Sequence, residues 1–100
     1  MLPTLTNPQK RHLKALAQRM DATHKVGKAG LSEAFVKNVD EALELKEIVK
    51  VKFMEFKEEK DELAPMLAEK TRSHLVVRVG HVAVLYREQP DPAKRVVKFA

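Results

Sequence analysis

A short segment of the chain, "VGKAG" at residues 26–30, brings together residue types that could bind an anion. Gly27 and Gly30 are two of only three glycines in the chain, and they stand three apart just before a run of helical periodicity. Glycine allows unusual backbone dihedral angles and has no Cβ atom to hold a phosphate chain away from the backbone. The N-terminus of the following helix would attract anions through its unpaired N–H groups, and Lys28 adds a mobile positive charge. The segment therefore predicts a phosphate-binding turn, in which Ala29 is too small to obstruct the ligand.

The spacing of the two glycines favours a nucleic-acid backbone as the ligand, with a simpler alternative left open. A G-x-x-G loop that clamps a few nucleotides is the device of KH domains. The alternative is that Gly27 and Gly30 only permit a tight turn between a strand and a helix. The segment matches neither G-x-x-x-x-G-K-[ST] nor G-x-G-x-x-G, so nucleoside triphosphate and dinucleotide sites both lack their residues.

The other chemistry-bearing residues form no pattern typical of a catalytic or metal site. The chain has no cysteine, and His12, His24, His74 and His81 show neither HxxxH nor HExxH spacing. Ser32 is better explained as a helix cap than as a nucleophile, because no G-x-S-x-G elbow surrounds it. The carboxylates of "DEALE" and "EEKDE" are predicted on solvated helix faces, without the apolar pocket that raises a catalytic pKa. We therefore expect no enzymatic activity, no metal and no cofactor.

Positive charge flanks an acidic middle. The net charge of +5 divides into +5 for residues 1–30, −4 for residues 31–70 and +4 for residues 71–100. If the two basic ends meet in the fold, they form a surface suited to phosphate. From their charge and predicted exposure, the residues expected to support phosphate contacts are Lys10, Arg11, Lys14, Lys25 and Arg87.

The aromatic content favours recognition of backbone and shape over the reading of bases. Tyr86 is the only tyrosine and tryptophan is absent, so few side chains are available to stack on bases. The charge pattern also allows an alternative from another class, a protein-interaction adaptor that docks through the acidic second and third helices. In that case the basic ends would merely balance charge.

Composition predicts one small globular domain. A hydrophobic content of 44% in 100 residues is enough for a modest single core. No apolar run approaches the roughly 18 residues of a membrane span, and the start "MLPTLTNPQKRH" lacks the apolar region of a signal peptide. The expected location is the cytoplasm, with no membrane and no small-molecule substrate as partner.

Hydrophobic periodicity predicts three helices and four strands. Thr6 and Gln9 form a capping box at the start of the first helix, and Ser32 is the predicted N-cap of the second. In the third helix, Pro65 requires a kink or a start near Asp61. The helices are predicted within residues 5–20, 32–46 and 55–73, and the strands within 23–27, 47–54, 75–79 and 82–87.

The element order α-β-α-β-α-β-β predicts an α/β fold. Crossover helices make the early strand pairings parallel and the final hairpin makes an antiparallel one, so the sheet should be mixed. We expect a single two-layer domain, with the helices packed on the apolar face of a four-stranded sheet. The domain is expected to span residues 1–100, with residues 88–100 either a loosely attached tail or, through "KRVVKF", an extra strand.

Four sequence blocks, in order and spacing, resemble the CRM domain, the chloroplast RNA splicing and ribosome maturation family, and in particular its stand-alone bacterial YhbY-type members. The blocks are Leu-x-x-Leu-Ala at 13–17, Gly-x-x-Gly-Leu-Ser-Glu at 27–33, Glu-Ile-Val-Lys-Val-Lys at 47–52 and Leu-Tyr-Arg at 85–87. The tail "EQPDPAKRVVKFA" has no matching family pattern, and Pro65 is unusual.

The resemblance implies both a fold and a function. The fold is expected to be similar to the C-terminal domain of the third bacterial translation initiation factor. The implied function is RNA binding without catalysis, with ribosomal RNA of a large-subunit precursor as the partner and a role in ribosome assembly. The family's RNA loop falls on Gly27, Lys28, Ala29 and Gly30. A monomer is expected.

Overall fold

The structure, a computed structural model, describes residues 4–99, and residues 1–3 and 100 of the predicted domain lie outside the described residues. Its first two helices begin where the sequence supplies a cap. Helix α1 (Asn7–Gln18) has the predicted capping box: the Thr6 hydroxyl accepts from the Gln9 N–H, and the Gln9 side chain accepts from the Thr6 N–H. Helix α2 (Glu33–Lys46) begins after Ser32, whose hydroxyl accepts a first-turn N–H. Both predicted N-caps are confirmed.

The third helix is shorter than the apolar pattern suggests. Helix α3 (Lys60–Lys70) follows a 3₁₀ turn (Lys57–Glu59) and contains Pro65. It begins late because Phe56 has left-handed dihedral angles, with φ 55°, through which a right-handed helix cannot continue. The start at Lys60 agrees with the alternative of a helix beginning near Asp61. Among the helices of residues 4–99, none combines the length and the hydropathy of a membrane-spanning segment.

The four strands form one mixed sheet, as predicted. They are β1 (His24–Val26), β2 (Ile48–Phe53), β3 (His74–Val79) and β4 (Val82–Tyr86), in the spatial order β1-β2-β4-β3. Strand β1 pairs parallel to β2, while the β2–β4 and β3–β4 pairs are antiparallel. Gly80 makes the β3–β4 turn with φ 58°, the left-handed conformation for which a glycine is suited.

Helices cover both faces of this sheet, so the domain has three layers where two were expected. Helices α2 and α3 pack on the face that carries Val49, Val51 and Phe53. Helix α1 packs on the other face, where Leu13 joins a second apolar cluster with Val84. The reason lies in β4, which reads "VAVLY" and has four buried residues in succession, so both of its faces require cover.

Lys50 illustrates how the second face is closed. Strand alternation predicts its side chain on a solvated face, yet it is half-buried under α1. Its ammonium group donates to the carbonyl oxygens of Ala17 and Met20, each at 3.0 Å. The last carbonyls of a helix lack partners within the helix and carry the negative end of its dipole. Lys50 therefore caps the C-terminal end of α1 and attaches it to β2.

Glu47 holds the C-terminal segment against the domain. This residue ends α2 with φ 66° and its side chain is fully buried. Its carboxylate accepts the backbone N–H groups of Gln89 and Val97, both at 2.8 Å, and that of Val96. Residues 88–99 contain a 3₁₀ turn and, in the part of the chain described, no strand; Val97 is buried in the α1-side cluster.

We predict that Glu47→Ala destabilises the protein by about 3 kcal/mol, because it leaves buried N–H groups without an acceptor. Glu41→Ala is the matched control, since Glu41 is exposed on α2 and should change stability by no more than about 0.5 kcal/mol. Urea denaturation of the three proteins measures both effects. Equal midpoints for wild type and Glu47→Ala would contradict the anchoring role.

Candidate nucleic-acid interface

The predicted phosphate-binding turn, residues 27–30, lies between β1 and α2 and is largely exposed. The N–H of Gly30 donates to the carbonyl oxygen of Gly27 at 3.0 Å, which closes the turn and removes one of the expected ligand donors. The N–H groups of Lys28 and Ala29 have no hydrogen-bond acceptor within residues 4–99. Two adjacent backbone donors at the tip of the turn are therefore available to an outside anion.

The two glycines of the turn differ in whether the fold would accept another residue in their place. Gly30 has φ 62°, and a Cβ atom at this position would lie 3.3 Å from Cε2 of Phe56. The fold itself therefore requires Gly30. Gly27 has no left-handed φ, and a Cβ atom there would meet nothing within 4 Å. The expectation of unusual dihedral angles at both corners holds for Gly30 alone, while the bare backbone at Gly27 is open to a ligand.

Two of the predicted cations flank the turn, and a third that was not predicted lies beside them. Lys25 and Lys28 are exposed on either side of Gly27. Lys25 is in register with Lys52 in the parallel pairing of β1 and β2, and both side chains lie on the α1 side of the sheet. Strand alternation places Lys52 opposite the buried face, but the sequence does not reveal which residue of β1 it neighbours.

The cations of α1 lie along the same face of the sheet, farther from the turn. Lys14 lines a groove of about 300 Å³ between α1 and the β3–β4 hairpin. Lys10 lies near His74, at the end of β3 opposite the hairpin turn; burial lowers the pKa of His74 and the charge of Lys10 lowers it further. Arg11 is exposed on α1. The structure thus separates the predicted cations into a turn group and an α1 group.

Five of the predicted cations have no counter-ion among residues 4–99. Within residues 4–99, the salt bridges involve the arginines at positions 78, 87 and 95. Lys10, Arg11, Lys14, Lys25 and Lys28 are therefore among the side chains without a carboxylate within 4.0 Å, as are the other lysines in this part of the chain. Their charges are not neutralised by the protein, which suits them to phosphate.

Arg87 serves the fold, and we leave it out of the interface. Its side chain is 17% exposed, so the exposure on which its selection rested is not found. Its guanidinium donates to the Asp40 carboxylate at 2.6 Å, to the Thr71 carbonyl at 2.6 Å and to the Asp40 carbonyl at 3.0 Å. Arg87 therefore joins α2, the end of α3 and the end of β4.

Tyr86 is also unavailable to nucleic acid. It is 2% exposed, and burial, followed by the negative charge of Glu47, raises its pKa to about 12. Its ring contacts those of His74 and Phe99.

Within residues 4–99, no group of three His, Cys, Asp or Glu residues could hold a metal ion.

We predict that Gly30→Ala destabilises the protein by about 1–2 kcal/mol, because the added Cβ is strained at a left-handed φ and meets Phe56. Gly27→Ala should stay within about 0.5 kcal/mol of wild type. Thermal unfolding followed by circular dichroism measures both variants. Equal losses in the two would contradict the separate roles of the glycines.

Arg87→Ala is predicted to cost about 2 kcal/mol, because it removes charged hydrogen bonds between three elements. Arg11→Ala is the matched control, since Arg11 is exposed and unpaired within residues 4–99. The comparison is made by urea denaturation. A wild-type midpoint for Arg87→Ala would show that these bonds contribute little.

The sequence is similar to those of known proteins along most of its length. The CRS1 / YhbY (CRM) domain matches residues 5–87. The chain is 36% identical over 88 residues to the Probable RNA-binding protein YqeI of Bacillus subtilis (strain 168), covering 87% of this chain and 92% of that protein. It is 32% identical over 91 residues to a Haemophilus influenzae protein named RNA-binding protein, covering 90% of this chain and 92% of that protein.

The similarity extends to three dimensions. The solution structure of SAV1595 from Staphylococcus aureus superposes with a TM-score of 0.75 at 38% sequence identity, over 95% of this chain and 100% of that one. The α/β fold expected from the element order is confirmed. The domain match covers the turn and all four strands, and the resemblance found in the sequence blocks is confirmed: this chain belongs to the CRS1 / YhbY (CRM) domain family.

Proposed function

We propose that this protein binds RNA through the turn at residues 27–30 and the unpaired cations around it. The observation that carries the proposal is the turn itself, which offers two N–H groups without an acceptor in residues 4–99 and a glycine that the fold does not need. Its membership of the CRM family, with relatives named as RNA-binding proteins, supports RNA as the anion.

The contacts follow from the position of each donor. The sugar–phosphate chain passes over Gly27, where no side chain holds it away, and the N–H groups of Lys28 and Ala29 donate to a phosphate. Lys25 and Lys28 neutralise the phosphates on either side, and Lys52 extends this positive surface along β2. Such contacts position the RNA without reading its sequence.

The cations of α1 extend the path of the RNA. Lys14 and Lys10 lie progressively farther from the turn on the α1 side of the sheet. A strand of RNA that leaves the turn on this side meets them in sequence. We take ribosomal RNA in a large-subunit precursor as the partner and assistance to ribosome assembly, without catalysis, as the role. The resemblance to the family's YhbY-type members supports this choice.

The binding mode predicts a steep dependence of affinity on salt. The logarithm of the association constant should fall with the logarithm of salt concentration by about 0.7 for each phosphate neutralised on a single strand. Lys28→Ala should weaken binding of a large-subunit ribosomal RNA fragment and reduce this slope by about 0.7. Fluorescence anisotropy across a salt series measures both quantities.

Lys94→Ala is the matched control for Lys28→Ala. Lys94 is exposed in the C-terminal segment, which Glu47 holds at the end of β2 away from the turn. Its removal should leave the affinity nearly unchanged. An affinity insensitive to salt and to Lys28→Ala would defeat the proposal.

A second experiment addresses the partner. Crosslinking in cells, followed by sequencing of the attached RNA, should recover large-subunit ribosomal RNA. Fractionating a lysate before and after ribonuclease treatment distinguishes the adaptor alternative. A protein that stays in large particles after the RNA is digested would favour docking on proteins through the acidic helices.

A further inference from the structure

Phe56, which the sequence analysis did not select, lies beside the turn in an unusual conformation. It has φ 55° and ψ 36°, the left-handed region that bulky side chains rarely adopt. Its ring lies against Gly30, whose missing Cβ atom makes room for it. Yet 40% of the residue is exposed, and it belongs to neither of the two apolar core clusters. Core packing therefore does not account for an aromatic residue at this strained position.

The exposed part of Phe56 borders a shallow hollow that begins at the turn. The hollow has a volume of about 450 Å³, and its lining includes Lys28 and Met54. Met54 is itself 45% exposed, so the hollow contains two apolar side chains accessible from outside. Exposed aromatic and thioether groups beside a phosphate-binding turn are suited to an uncharged, planar ligand group.

The charges around the hollow determine which part of an RNA could enter it. The remaining residues of its lining are Glu55, Lys57, Glu58 and Glu59. With three carboxylates against two ammonium groups, the lining has a net negative charge and is less favourable to phosphate than the turn is. Lys25 and Lys52, which lie on the α1 side of the sheet, attract phosphate. An RNA bound at the turn would therefore keep its backbone over Gly27 and direct a base toward Phe56.

We propose that Phe56 is a stacking platform for one unpaired base of the RNA bound at the turn. This inference rests on the proposed function and deepens it, because it adds a preference for single-stranded nucleotides over duplex. Bases that are not paired are free to stack on aromatic side chains, and every base has a face that can do so. The left-handed backbone of Phe56 holds the ring beside the turn before the RNA arrives.

Two substitutions of Phe56 distinguish the effect of aromatic stacking on RNA affinity from the effect of apolar side-chain volume. Phe56→Leu keeps an apolar side chain against Gly30 but removes the ring, whereas Phe56→Trp keeps an aromatic face. Leu45→Ala is the control, since Leu45 is an exposed apolar residue on α2, at the end of the sheet away from the turn. The probes are a short oligoadenylate and a chain of abasic spacers with the same length and charge.

Phe56→Leu is expected to bind the oligoadenylate about tenfold more weakly than wild type, the loss typical of one stacked base. It should bind the abasic chain as wild type does and show the same salt slope with both probes. Phe56→Trp should retain its affinity for the oligoadenylate. Because the natural chain has no tryptophan, the single indole should also report stacking through fluorescence quenching by the oligoadenylate and not by the abasic chain.

Three outcomes would overturn the proposal, and they have different meanings. Phe56→Leu could bind the oligoadenylate with wild-type affinity while Lys28→Ala still weakens binding. That result would contradict stacking on Phe56 and leave the proposed binding of RNA at the turn standing. Equal weakening toward both probes shows that Phe56 supports the turn and does not stack on a base. A wild-type protein that binds neither probe nor the ribosomal RNA fragment contradicts the proposed function as well.

Discussion

The buried carboxylate of Glu47 is the interaction on which the arrangement of the chain depends. A buried charge is costly unless hydrogen bonds satisfy it, and here three backbone N–H groups of the C-terminal segment do so. The same residue reverses the chain with φ 66°, its own N–H donates to Leu43, and its carbonyl accepts from Arg87. One residue thereby ends α2, starts β2 and attaches the last part of the chain to both.

Because β2 is fixed at its start by Glu47, its far end provides a firm support for the candidate interface. Lys50 attaches α1 to the middle of this strand, and the parallel pairing with β1 fixes the strand that leads into the turn. The turn at residues 27–30 is therefore held between a strand and a capped helix. Its donors are positioned by rigid elements, as binding loops commonly are.

Local chemistry made much of this structure predictable. Thr6 and Ser32 predict the starts of their helices because an N-cap acts within three residues. Gly80 predicts its turn because its left-handed conformation is likewise a local property. The predictions that failed concern side chains whose hydrogen-bond partners lie far away in the sequence. Lys50 donates to carbonyl groups 30 and 33 residues away, and Arg87 donates to Asp40, 47 residues away. The burial and the role of these two side chains therefore could not be predicted from their neighbours in the sequence. Phe56 escaped notice because "EFKEEK" reads as the start of a helix.

The unequal demands on the two glycines bear on how members of this family diverge. At position 30 any side chain is opposed by the backbone and by Phe56, so selection for folding alone would retain glycine there in every descendant with this geometry. At position 27 a Cβ atom would meet nothing within 4 Å, so folding exerts no such pressure there. A side chain at position 27 would therefore leave the scaffold intact, whereas one at position 30 would disturb the turn and the residue packed against it.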